Sequence, residues 1–199
     1  MSPPVRVIKL GGSLLNWPEL CAQFRRWLAA QPLAANVLIV GGGTLVEQLR
    51  ELSRVQELPD DASHWLAIRA MSLSAGIVAA ILPEARVLDS LGQIDGDPGS
   101  PPQILEVEPF LRSEQGRAES LPESWDVTSD SIAARVASVL EATELVLLKS
   151  TLPYGPLSID CLARQGIVDA YFPRAARSLD VRLVNLRDPR FAEARVLPV

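Results

Sequence analysis

Twice before residue 56 the chain repeats one pattern: a short run of aliphatic residues, a cluster of glycines, then an amphipathic segment. The first unit is Val5–Leu10, then Gly11-Gly12-Ser13, then a helical stretch over 18–30 in which Leu20, Phe24, Trp27 and Leu28 share one face. The second is Asn36–Val40, then Gly41-Gly42-Gly43-Thr44, then a helix through Leu45, Leu49 and Leu52. Strands this apolar are buried on both faces, and consecutive strand–helix units return in parallel through right-handed crossovers. The pattern therefore predicts an α/β chain, a three-layer αβα sandwich around a mainly parallel central sheet.

Beyond the repeat, a long helix is expected over 62–82, ended by Pro83. Further strands are expected at Arg86–Leu88, Gln103–Val107, Leu145–Lys149 and Val181–Leu186, with an edge strand in the tail Phe191–Val199. Shorter helices fit 108–112, 130–142, 160–164 and 169–177. The Gly- and Pro-rich stretches 95–102 and 150–158 read as loops, as does the acidic stretch 113–124. At 199 residues the chain is expected to form a single domain over 1–199.

The net charge of -5 and the lack of any basic stripe argue against nucleic acid or an anionic membrane as partner. One histidine and two distant cysteines, Cys21 and Cys161, match no zinc spacing, so no protein-built metal site is expected. The cysteines read as two buried thiols in a reducing compartment. The uncharged stretch Ala70–Pro83 is short for a membrane span, and the first residues lack a signal-peptide layout. A soluble, cytoplasmic protein acting on a small molecule is the expectation.

The basic residues are distributed unevenly. Of 19 lysines and arginines, lysine stands only at Lys9 and Lys149, and each ends an apolar strand-like run. An ammonium is a compact charge with rotatable donors, suited to following a phosphoryl group. The glycines after Lys9 allow a tight turn whose successive N–H groups can cradle an anion. The signature G-x-x-x-x-G-K-[ST] is absent, and Gly41-Gly42-Gly43 lacks the spacing G-x-G-x-x-G of dinucleotide folds. A nicotinamide-dependent oxidoreductase is disfavoured accordingly. Asp130 stands where it either caps a helix or faces a ligand. Asp126 and Thr128 are equally open to both readings. His64, near a helix start, is either a core residue or a phosphate ligand.

In their order, these segments resemble the amino acid kinase superfamily, which includes acetylglutamate, uridylate, aspartate and isopentenyl phosphate kinases. Lys9-Leu10-Gly11-Gly12-Ser13 is similar to its K-x-G-G-S opening. Val40-Gly41-Gly42-Gly43 is similar to its acceptor-site glycines, and Asp126–Ala134 to its aspartate-bearing turn. The resemblance implies ATP-dependent phosphoryl transfer with Mg2+, commonly in a homodimer. It implies Lys9, Asp130 and Lys149 as catalytic residues, Asp130 orienting Lys9 rather than acting as a base. Gly11, Gly12, Ser13, Lys149 and Ser150 would face the nucleotide. Gly42, Gly43, His64, Asp126 and Thr128 would face the acceptor. The family's T-D-V-x-G strand end is replaced here by Lys149–Gly155, and its later lysine-bearing G-M-x-x-K stretch is missing. Lys149 is the candidate to substitute for that lysine, with Arg174 and Arg177 as weaker nucleotide candidates. The compact length, the His64-Trp65 helix and the Lys149-Ser150 strand end are most similar to small members that phosphorylate an aminomethyl-furanmethyl phosphate in methanofuran biosynthesis. A phosphomonoester acceptor is expected. The alternatives are a carboxylate acceptor, or a non-catalytic protein binding nucleotides or oxyanions on the same scaffold.

Overall fold

A computed structural model of the chain describes residues 3–153 and 158–196. Gly155 and Pro156 of the expected 150–158 loop lie outside the described residues. So does the end of the expected tail strand.

The strands are β1 (Val5–Leu10), β2 (Ala35–Val40), β3 (Arg86–Leu88), β4 (Gln103–Leu105), β5 (Glu144–Lys149), β6 (Val181–Asn185) and β7 (Glu193–Val196). They form one sheet in the order β3-β4-β2-β1-β5-β6-β7, in which β7 alone runs antiparallel. The helices are α1 (Leu20–Ala29), α2 (Gly43–Val55), α3 (Asp60–Ile81), α4 (Val107–Glu114), α5 (Ser129–Val139), α6 (Ile159–Arg164) and α7 (Phe172–Ala175). The three-layer sandwich with a mainly parallel sheet is thus as expected. Several boundaries move by a few residues, and two of the shifts change the layout. The expected strand over 103–107 stops at Leu105 because Val107 already opens α4. The expected helix over 169–177 shrinks to α7, leaving 165–171 as a connecting loop.

The alternation of side chains across the sheet explains what the two faces bury. From β1, Val7 points to one face with Leu145 and Leu147 of β5, under Ile132, Ala133 and Val136 of α5. Ile8 and Leu10 point to the other, with Val146 and Leu148, against Leu20, Phe24 and Trp27 of α1. The same alternation puts Lys9 on the face of Val7 and Lys149 on the face of Leu147. Both lysines therefore end up under α5. Register finishes the alignment: Lys9 is opposite Leu147 and Leu10 opposite Leu148.

At the amino ends of the strands, Arg6 is buried with its guanidinium donating to Glu144, Asn36 and the Pro32 carbonyl. That cluster anchors the end away from the lysines. α3, with 22 residues, is long and apolar enough by composition to cross a membrane. The core helix of a folded domain passes the same test, and the uncharged stretch Ala70–Pro83 forms only the later part of α3 and the turn after it. Here it packs as a helix of the domain, burying Ser63, His64, Ile68, Met71, Ser74 and Val78. The cysteines are both free thiols, as expected, but half-buried rather than buried.

Candidate active site

The chain leaves β1 toward β2 on one side of the sheet, while β5 and β6 lie on the other. The carboxyl ends of β1 and β5 therefore flank a point where the winding direction changes. Open α/β sheets form their ligand crevices at such points. A cavity of about 770 Å³ opens there, lined by Lys9, Gly12, Ser13, Gly42, Gly43, His64, Trp125, Thr128, Lys149 and Ser150, among others.

The two lysines converge on one carboxylate. Lys9 Nζ lies 3.1 Å from Asp130 Oδ1. Lys149 Nζ donates to both oxygens of Asp130, at 2.9 and 2.8 Å, and to the Ile167 carbonyl at 2.7 Å. Asp130 sits in the first turn of α5, where the helix dipole favours a negative charge. Burial pushes its carboxyl up, but the charges of Lys149 and Lys9 outweigh burial and hold it below the usual carboxylate range. Burial, opposed by Asp130 and reinforced by the charge of Lys9, brings the Lys149 ammonium down to about 8. Two ammoniums share one carboxylate, so the trio presents net positive charge to the cavity.

The glycines bring the two strand-end loops together. A Cβ on Gly12 would lie 2.2 Å from the Gly43 amide nitrogen, and Gly43 itself has φ of +55°. Only glycine at both positions lets β1's loop touch the start of α2. The amides are used unequally. Gly11 N–H donates to the Leu148 carbonyl at 2.9 Å, so it extends the β1–β5 ladder and is not free for a ligand as expected. The amides of Gly12, Ser13 and Gly42 find no acceptor among the described residues. Those three, beside two lysines, have the form of backbone concavity that suits an anion. Ser13 Oγ donates to Ser150 Oγ at 3.1 Å, which ties the loops after β1 and β5 together.

The remaining expected residues divide. His64 is buried and lines the cavity, but burial lowers its pKa, opposed by a hydrogen bond to the Ser124 backbone. In the free site burial therefore favours the neutral imidazole. Thr128 lines the cavity, yet its hydroxyl donates to Asp169 at 2.8 Å. Asp126 is exposed and is absent from the lining, whereas its neighbours Trp125, Val127 and Thr128 belong to it. Arg174 and Arg177 line a separate surface cleft with Tyr171, which removes them as nucleotide ligands in this cavity.

Sequence reasoning missed Arg50, Glu47, Arg187, Trp125 and Asp169. Arg50 and Glu47 line the cavity, and the Arg50 guanidinium lies over the Trp125 ring at 4.3 Å. Their helical spacing from Gly43, four and seven residues on, was a usable signal. Arg187 also lines the cavity and donates to the Ser13 carbonyl at 3.3 Å. It comes from the loop after β6, and nothing local marks it.

A sequence model of the amino acid kinase family matches residues 4–151. Over 143 residues the chain is 24% identical to [5-(aminomethyl)furan-3-yl]methyl phosphate kinase of Methanocaldococcus jannaschii, spanning 72% of this chain and 64% of that protein. The fold is similar to aspartate kinase from Synechocystis, with a TM-score of 0.65 and 16% identity, over 98% of this chain and 40% of that one. It is also similar to UMP kinase from Ureaplasma parvum, with a TM-score of 0.62 and 12% identity, over 96% of this chain and 93% of that one.

Replacing Asp130 with Asn would leave two ammoniums facing each other without the carboxylate that lies between them. Removing one partner from a buried ionic cluster costs about 3–5 kcal/mol. Asp130→Asn is expected to lose stability of that order in urea unfolding. A loss under about 1 kcal/mol would show that the trio is solvated and weakly coupled.

Proposed function

The chain belongs to the amino acid kinase family, and from that premise we propose that it transfers the γ-phosphoryl group of ATP to a phosphomonoester acceptor. The observation that carries this reading is the convergence of Lys9 and Lys149 on Asp130 at the lip of a cavity with unpaired amides. Phosphoryl transfer asks the protein for alignment and charge neutralisation rather than covalent chemistry. In this reading Lys9 and Lys149 shield the phosphoryl group in passage. Gly12, Ser13 and Ser150 hold the nucleotide phosphates. Asp130 has both oxygens engaged by lysines and orients them; a phosphate acceptor brings its own oxyanion and needs no base.

The acceptor end lies toward α2 and α3, where Gly42, Gly43, His64 and Arg50 line the cavity. Arginine and backbone amides suit a phosphate, and a bound phosphate would raise the imidazole's proton affinity. The relative from Methanocaldococcus jannaschii, named for a phosphate acceptor, supports the same class, and its furan-type phosphate is the specific acceptor we propose to test first. Magnesium would arrive on the nucleotide, since it is generally held by phosphate oxygens with one or two carboxylates. Glu47 lines the cavity, and among the described residues no three His, Cys, Asp or Glu gather into a cluster of their own. We also propose a homodimer through α3, whose Leu66, Leu73 and Ile77 stand exposed along one side.

Screening phosphomonoester, carboxylate and nucleotide acceptors with Mg-ATP is expected to give turnover on the phosphomonoesters. Lys9→Met should reduce it by roughly 10²–10³-fold or more with folding intact. Wild-type turnover confined to carboxylates, or binding of ATP without any turnover, would contradict the reading.

The pH dependence follows from Lys149. Its ammonium loses a proton above about 8, which removes positive charge from the free site. kcat/KM should therefore fall above that pH, while the limb in kcat lies higher because bound phosphates favour the charged form. Lys149→Arg should carry activity past pH 9 without the limb. A wild-type profile flat to pH 10 would rule out the charge requirement.

Light scattering is expected to show a dimer that Leu73→Glu converts to monomer. A monomeric wild type would dispose of the α3 interface.

A further inference from the structure

Asp169 belongs to the loop 165–171, which carries no local pattern that would place it at the site. Its carboxylate accepts four hydrogen bonds from the first turn of α5. They come from the Thr128 N–H at 3.0 Å, the Thr128 hydroxyl at 2.8 Å, the Ser131 N–H at 3.0 Å and the Ser131 hydroxyl. Thr128 is the residue that precedes α5, and its own side chain makes no capping bond. The helix that carries Asp130 is therefore capped from 38 to 41 residues away. Two residues before Asp169, the Ile167 carbonyl accepts from Lys149 Nζ.

We propose that Asp169 is a positioning residue: it ties the loop bearing the Ile167 carbonyl to the helix turn bearing Asp130, so that Lys149 is held between them. A carboxylate suits this place better than an amide. All four hydrogen bonds run toward it, and an ionised carboxylate supplies acceptor sites for every one of them. Burial, with neighbouring Asp130, outweighs the hydrogen bonds from Ser131 and Thr128 and raises the carboxyl above the usual aspartate range, so those hydrogen bonds are what limit the rise. The arrangement has a second effect. The groups that face Lys149 are Asp130 from α5, Lys9 from β1 and Asp169 from the loop, and the two carboxylates favour its charged form while Lys9 opposes it. Asp169 thus both fixes the lysine's cage and helps keep the lysine protonated. In the kinase reading, on which the catalytic consequence rests, this keeps Lys149 cationic at neutral pH.

The scarcity of lysine makes a direct test available. Protein labelled with ¹³C-lysine carries two side-chain signals, from Lys9 and Lys149, separable with Lys9→Arg. In the wild type the Lys149 signal should titrate near pH 8. In Asp169→Asn its midpoint should move to lower pH by roughly half a unit, the size expected for losing one nearby charge at intermediate screening. An unmoved or raised midpoint would overturn the proposal. The alkaline limb of kcat/KM should move with it. Because the NMR titration needs no turnover, a protein that fails as a kinase still tests the role of Asp169. If Asp169→Asn does not fold, Ser131→Ala removes one donor and leaves the charge. Amide exchange over the loop 165–171 should then quicken about tenfold, the weight of one hydrogen bond to a charged group. Unchanged exchange would show that the loop is not held through Asp169.

Discussion

Two lysines and one aspartate, all largely withdrawn from water, set the terms for the rest of this fold. Three charges can be taken out of solvent only if each finds partners at hydrogen-bonding distance. The fold meets that demand from three separate parts of the chain. β1 supplies Lys9, the first turn of α5 supplies Asp130, and β5 supplies Lys149. Strand alternation places both lysines on one face of the sheet, and the pairing of β1 with β5 sets their offset. The dipole of α5 adds to the preference for a carboxylate between them.

The glycines serve that same geometry. The loop after β1 must turn sharply beneath the start of α2 without separating from it, and Gly12 and Gly43 make the contact through backbone alone. What results is a floor of N–H groups next to two ammoniums. An anion bound there meets full charges and fixed dipoles that need no rearrangement to receive it. That preorganisation is the form in which electrostatics contributes most to a transfer reaction. The apolar sandwich on either side does the complementary work of keeping the strand ends rigid and the cavity walls low in dielectric.

Much of this was legible from residue order. The doubled strand–glycine–helix unit fixed the fold class, and the two scarce lysines at strand ends pointed to the site. Both inferences depend on local pattern, which sequence records directly. The misses are of another kind. Asp169 caps a helix some forty residues away, and Arg187 reaches the cavity from the far end of the chain. Neither has a local signature, because what recruits them is tertiary. Gly11 was assigned to a ligand although its amide belongs to the β1–β5 ladder; a glycine shows that the backbone is close to something, not to what. His64 was open to two readings, core residue or ligand, and it is both buried and in the cavity lining, since burial cannot be read from one helix's pattern. Asp126 and Thr128 looked interchangeable in sequence. The turn separates them, sending Asp126 to solvent and Thr128 to Asp169.

The central claim is that the paired ammoniums form a polyphosphate-binding centre. Calorimetric titration with Mg-ATP of the wild type, Lys9→Met and Lys149→Met addresses it without requiring the acceptor to be known. Saturable binding to the wild type is expected, weakened at least tenfold in each variant with both remaining folded. Wild-type protein that takes up no nucleotide, or variants that bind it as tightly as the wild type, would contradict it.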